Sequence, residues 1–197
     1  DVLGEKSALA VHRGQEEEFY ALLEGWAQRF PARADIQRAR AQLLDQKLFA
    51  DLRVDGMERV KAYRESQSIR AADIDEIYIL RRQAWRWFKD GGGARIYHEL
   101  TELHTNDAIA AVGEIGIPND VQVLQLRVIK PDGSVRYPEA VNDRTALSMP
   151  DMEVGDVLER EYLTLFEPVP EDAFMYRTEP FYFQSTGAPI YRSELHI

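Results

Sequence analysis

Two turn signals in the second half of the chain constrain its fold more than any other feature of the sequence. Residues 126–135 read Leu-Arg-Val-Ile-Lys-Pro-Asp-Gly-Ser-Val, so that Pro131-Asp132-Gly133 divides two β-branched runs. Proline pre-sets φ at the first corner of a turn and glycine accepts a positive φ at the last, which predicts a hairpin. Val154-Gly155-Asp156 punctuates the chain in the same way ahead of residues 157–166, where charged and apolar side chains alternate. A period of two is what a strand with one face in the core requires. Antiparallel strands joined by short connections follow from these signals, whereas no reaction does.

The first seventy residues carry a different period. Phe19, Leu22, Leu23, Trp26 and Phe30 form one helical stripe, with Glu16, Glu17 and Glu18 in the first turn, where the helix dipole favours anions, and Pro31 at the end. Ile36, Ala39, Leu43 and Leu44 make a second stripe; Leu52, Met57, Val60 and Tyr63 make a third, interrupted by Gly56. At an offset of 34 residues Leu23 aligns with Met57 and Trp26 with Val60, the period of a tetratricopeptide repeat. A generic helical hairpin fits the same residues.

Near Ala71 the period changes. Strands are predicted at 74–88, 94–104, 112–117, 121–130, 134–137, 145–148, 157–166, 181–185 and 190–197, with Lys89-Asp90-Gly91-Gly92-Gly93 as the turn between the first two. The expected class is therefore α+β. A helical hairpin or tetratricopeptide-like unit over residues 1–70 precedes an antiparallel β-sandwich over residues 71–197.

Composition narrows the function classes. The 197 residues contain no cysteine, which excludes disulfides, thiolate metal sites and a cysteine nucleophile within this segment. The lack of cysteine fits the bacterial periplasm or cell envelope, and it fits the cytoplasm equally. No stretch approaches the roughly 18 to 20 apolar residues of a membrane helix, so membrane insertion is not expected. Residues 1–70 carry twelve basic and twelve acidic side chains, so the whole formal charge of -10 falls on residues 71–197. Phosphate neutralisation needs clustered Lys and Arg, and nucleic acid is excluded as a partner. The chain opens at Asp1 with no initiator methionine or signal-like segment, so a processed or excised piece of a longer protein is expected.

A family resemblance rests on four pieces taken in order. These are Gly113-Glu-Ile-Gly-Ile-Pro118, Arg127-Val-Ile-Lys-Pro-Asp-Gly133, Gly155-Asp-Val-Leu-Glu-Arg-Glu-Tyr162, and Phe183-Gln184 followed by Pro189-Ile-Tyr-Arg-Ser-Glu-Leu195. Residues 74–197 resemble the bacterial domain of unknown function that lies immediately ahead of transglutaminase-like cores in large, often exported proteins. The resemblance implies a sandwich fold and a downstream neighbour in the same chain that uses Cys, His and Asp. None of that machinery maps onto this segment, which has no cysteine.

Several constellations bear on chemistry. His98, Leu100, Glu102 and His104 share one strand face, but at about 3.3 Å per residue His98 and His104 stand roughly 20 Å apart and cannot hold one ion. A solvated polar face is expected there, and no metal or cofactor. Glu159 and Glu161 also share a face, at a spacing within the range of paired glycosidase carboxylates. They are expected on the charged outer face, opposite Leu158, Tyr162 and Phe166. Asp132, Asp143, Asp151 and Asp156 are read as turn residues, not as calcium ligands. Trp85 and Trp87 share a face with Arg81, Gln83 and Lys89, and Trp85, Trp87 and Gln83 are the candidate contacts for a sugar or peptide. The function expected is that of a non-catalytic module that binds or presents a protein, peptide or glycan. A carboxylate-dependent polysaccharide hydrolase and a structural spacer of an envelope assembly are the alternatives.

Overall fold

A computed structural model describes residues 16–33, 36, 40, 49–66, 74–88, 92–118, 120–140, 146–167, 180–185 and 187–197. Most of the second helical stripe, the tip Lys89-Asp90-Gly91 and Asp143 lie outside the described residues. The chain divides into two compact units.

The first unit comprises residues 1–51, 86–94 and 165–177. Its helix α1, Glu16–Arg29, buries Leu23 and Ala27 against Ile36, with Trp26 and Phe30 packed on that cluster. The two rings stand 5.1 Å apart, and Arg40 holds Glu24 with two hydrogen bonds of 2.8 and 2.9 Å. Pro31 follows as the helix ends, because proline cannot supply the amide that would continue the ladder. The same unit holds the tip of a hairpin, where the Phe88 amide donates to the Gly92 carbonyl at 2.9 Å. Phe49 lies beside Phe88 there, and Arg86 sits over the Phe49 ring and pairs with Asp51.

The second unit comprises residues 52–85, 95–164 and 178–197. After a 3-10 turn at Ala50–Leu52, helix α2 runs over Gly56–Ser66. Asp55 caps it, its Oδ1 accepting from the amides of Met57 at 2.8 Å and Glu58 at 3.4 Å. Gly56, which reads as an interruption in the sequence, is the first residue of this helix. The strands are β1 (Glu76–Trp87), β2 (Gly93–Leu103), β3 (Glu114–Gly116), β4 (Gln122–Ile129), β5 (Val135–Arg136), β6 (Glu139–Ala140), β7 (Ala146–Ser148), β8 (Val157–Phe166) and β9 (Ser193–His196). Six of them form a sheet in the order β5-β4-β8-β2-β1-β9, and β3, β7 and β6 form a second one. The large sheet is mixed: β4 is antiparallel to β5 and β8, whereas β9 runs parallel to β1.

Both faces of the large sheet are covered at one end. Val60 and Tyr63 of α2 pack with Ile77, Ile79, Leu80, Leu100, Ile129 and Val157. Ile115 of β3 and Met149 pack instead with Leu126, Val128 and Leu158. Successive residues of a strand face opposite ways, so Val157 and Leu158 place the helix on one side and the small sheet on the other. The expected antiparallel sheet is instead mixed, because β9 returns alongside β1 in the parallel sense, and two further sequence expectations change. Residues 106–112 form a helix, α3 (Asn106–Val112), capped by Thr105, which accepts from the Ala108 amide at 3.2 Å. Residues 181–185 form no strand.

The two turns are built as their residues predict. Gly133 has φ 85° and donates its amide to the Lys130 carbonyl at 3.0 Å, closing the β4–β5 hairpin. Gly155 has φ 93° and donates to the Leu103 carbonyl at 2.7 Å, which ties the turn before β8 to the end of β2. A side chain is strained at such a φ, so Gly155→Ala should cost about 1–3 kcal/mol, read as a lower urea midpoint at unchanged slope.

Candidate functional site

The alternation along β8 is as expected, but its charged residues face inward. Glu159 and Glu161 are each 2% exposed and lie on the side that α2 covers. Periodicity establishes that two residues share a face and not which face it is; here the neighbouring elements supply the counter-charges that let the carboxylates be buried. Arg127 of β4 reaches Glu159 Oε2 through Nε at 2.5 Å. His98 of β2, fully buried, donates from Nε2 to Glu159 Oε1 at 3.0 Å. Arg53, just ahead of α2, grips both oxygens of Glu161, with Nε at 3.0 and 2.9 Å. His98 Nδ1 is 3.9 Å from Glu161 Oε1 and makes no hydrogen bond. The expectation of a solvated face is therefore corrected for His98, Glu159 and Glu161.

Gly56 closes this network from above. A Cβ at that position would stand 2.6 Å from Glu159 Cδ, so only glycine lets the first turn of α2 rest on the carboxylate. Burial pushes the Glu159 carboxyl up, yet His98 and Arg127 outweigh it and hold the group below the usual carboxylate range. Beside the network, Arg82 donates to the Leu52 carbonyl at 2.5 Å and pairs with Glu194 of β9 at 3.2 Å, and Arg59 of α2 meets the same carboxylate at 3.4 Å. His104 belongs to a separate group, its Nε2 lying 2.9 Å from Glu102 Oε2, which also accepts from Tyr63 Oη at 3.1 Å.

The opposite face carries a second polar set. Glu99 accepts from Tyr97 and Arg160, and from Thr101 Oγ1 at 3.3 Å, while Arg81 Nε lies 3.7 Å away. Of these residues the sequence marked only Arg81, as a neighbour of the tryptophans, although Arg160 alternates with Glu159 and Glu161 and so had to face away from them. Of the predicted ligand contacts, Trp85 is buried, with the Arg95 guanidinium 5.4 Å over its ring and its Nε1 donating to Gln83 Oε1 at 3.2 Å. Trp87, in the first unit, is half-buried, and a Cβ at Gly93 would stand 2.8 Å from its ring.

The turn aspartates act locally. Asp132 Oδ1 accepts from the Ser134 amide at 2.8 Å, and its contacts with Ser134 hold the carboxyl below its ordinary range. Asp156 accepts from the Glu153 amide and from Lys130 Nζ, both at 2.8 Å. Among the described residues no three His, Asp or Glu side chains converge as a metal site. Beside α2 a cavity of about 520 Å³ is lined by residues that include Met57, Val60, Lys61, Ile129, Pro131 and Asp132.

No family model matches the chain, and no curated protein matches it. Among solved structures, a protein from Parabacteroides distasonis ATCC 8503 described as a "putative protease" is similar at 18% sequence identity with a TM-score of 0.41. The similarity covers 50% of this chain and 24% of that one, so this chain matches about a quarter of that protein's length.

Two outcomes are expected of the inner network. Gly56→Ala should destabilise the fold by about 1–3 kcal/mol, as forced overpacking does, in a denaturant melt. An ionised Glu159 with a depressed folded-state pKa stabilises the protein above its ordinary value of 4.5, and that contribution is lost as pH falls from there through the folded value. The urea midpoint should therefore drop below about pH 4.5, and the drop should be shallower in Glu159→Gln.

Proposed function

We propose that this chain is a non-catalytic β-rich accessory module of a larger bacterial transglutaminase-like protein, and that it binds or presents a protein, peptide or glycan. The observation that carries the reading is the state of the acid–base groups. Glu159 and Glu161, the paired carboxylates a hydrolase of this kind would use, are covered and already engaged by Arg127, Arg53 and His98. General acid–base catalysis needs a group within reach of a substrate proton, and a glycosidase pair must flank the scissile bond. Neither condition fits two carboxylates that are closed beneath a helix.

Further support comes from the ordered turn motifs on which the family resemblance rests, and from the packing of the small sheet on the large one, which suits a sandwich-type domain. No helix among the described residues is long and apolar enough to cross a membrane. The downstream transglutaminase-like core would be the partner within the same chain, and Gln83 and Trp87, both partly exposed, remain the proposed ligand contacts, whereas Trp85 is buried.

Two measurements test the reading. The reading frame beyond Ile197 should encode Cys, His and Asp in transglutaminase order; a stop codon there would contradict it. The purified chain should neither cleave nor cross-link peptides, nor hydrolyse polysaccharide. Turnover that survives purification and disappears in Glu159→Gln or Glu161→Gln variants that still fold would establish the hydrolase alternative instead.

A further inference from the structure

Four adjacent strands of the large sheet contribute polar side chains to one row: Arg160 of β8, Glu99 of β2, Arg81 of β1, and Ser193 of β9 in register with Arg81. Donors outnumber acceptors along it. The Glu99 carboxylate, only 3% exposed, already accepts from Tyr97, Thr101 and Arg160, which occupies most of the roughly four lone-pair sites a carboxylate offers. Arg81 is left at 3.7 Å, an ion-pair distance beyond hydrogen-bond reach.

The Nε–H groups of Arg81 and Arg160 are both sheltered from solvent and have no acceptor, and Ser193 Oγ likewise makes no hydrogen bond. Folded proteins leave few buried donors unmatched, so each such group calls for an explanation. Two guanidiniums facing one carboxylate also leave this row with one positive charge in excess, in a unit that is otherwise acidic. The rest of each arginine remains reachable, since the side chains keep 28% and 27% of their exposure. The Tyr78 ring, 5.1 Å from Arg81 Cζ, supports that guanidinium from the side.

We propose that Arg81 and Arg160 form a binding site for a small oxyanion, a carboxylate or a phosphate, held beside Glu99 with Ser193 as an additional donor. A guanidinium presents its N–H groups as a rigid fork that matches the oxygens of these anions, and two forks around one ligand give both charge and orientation. Glu99 acts in this site as an internal competitor that keeps the arginines aligned. The site lies on the face opposite the buried Glu159 network and stands whether or not the chain belongs to a larger protein.

The test is titration of the isotope-labelled full chain with sodium phosphate and, separately, sodium acetate at constant ionic strength, following the arginine Nε–H resonances. Saturable shifts at Arg81 and Arg160 are expected with one or both anions, and the responding anion identifies the ligand as phosphate or carboxylate. Arg160→Gln and Arg81→Gln should each weaken binding by about tenfold or more, the size of a lost charge-assisted contact. Arg81→Lys keeps the charge, protects the fold and should still weaken binding through loss of the fork. Glu99→Gln should tighten binding several-fold, which a row serving only to hold strands together would not do. No saturable shift with either anion, or an affinity indifferent to Arg81 and Arg160, would overturn the proposal.

Discussion

The second unit depends on the carboxylate of Glu159, buried in the middle of the large sheet with Arg127 on one side, His98 on the other and Gly56 directly above. Taking a carboxylate and a guanidinium out of water costs several kcal/mol per ion, and their attraction offsets this only with good geometry and further hydrogen bonds. The network therefore adds little stability over a well-packed apolar core. What it does is make one arrangement far better than its neighbours. A one-residue slip of β8 would turn both glutamates to the other face and leave Arg127, Arg53 and His98 without acceptors. The entry of α2 is fixed by the same groups, since Arg53 and the Arg82 contact to the Leu52 carbonyl fasten the segment that leads into Gly56.

The two faces of the sheet carry different electrostatics. On the covered side Glu159 and Glu161 are matched by Arg127 and Arg53, and the histidine joins them as a hydrogen-bonding member. On the other side Glu99 is shared by two arginines with donors to spare. A neutralised, covered cluster positions the chain, whereas arginines that keep 28% and 27% of their exposure and hold unmatched donors can be completed from outside. The proposed binding role and the proposed oxyanion site both rest on this contrast.

Local structure was legible where it depends on neighbours in sequence. The turns at Pro131-Asp132-Gly133 and Val154-Gly155-Asp156 carry positive φ at their glycines, and β8 spans the residues its alternation marks out. The orientation of β8 was not legible. It depends on Arg53, which meets Glu161 across 108 residues, and on His98, which meets Glu159 across 61. Charge alternation reads as an outer face unless the distant counter-charges are known. Helix α3 was missed because it is only seven residues long and has little periodicity, although Thr105 was an available cap signal. Gly56 read as a helix breaker for a similar reason, since the carboxylate that requires a glycine there comes from another part of the chain.

A double-mutant cycle on Arg53 and Glu161 tests most directly whether buried charge pairs, and not the alternation pattern alone, orient this sheet. Urea unfolding of the wild type, Arg53→Met, Glu161→Gln and the double variant gives the coupling energy. A buried bidentate pair predicts a coupling of about 1–3 kcal/mol, with the double variant no less stable than the worse single one. Additivity within about 0.5 kcal/mol would mean that the two groups are solvated and independent, and would contradict the account.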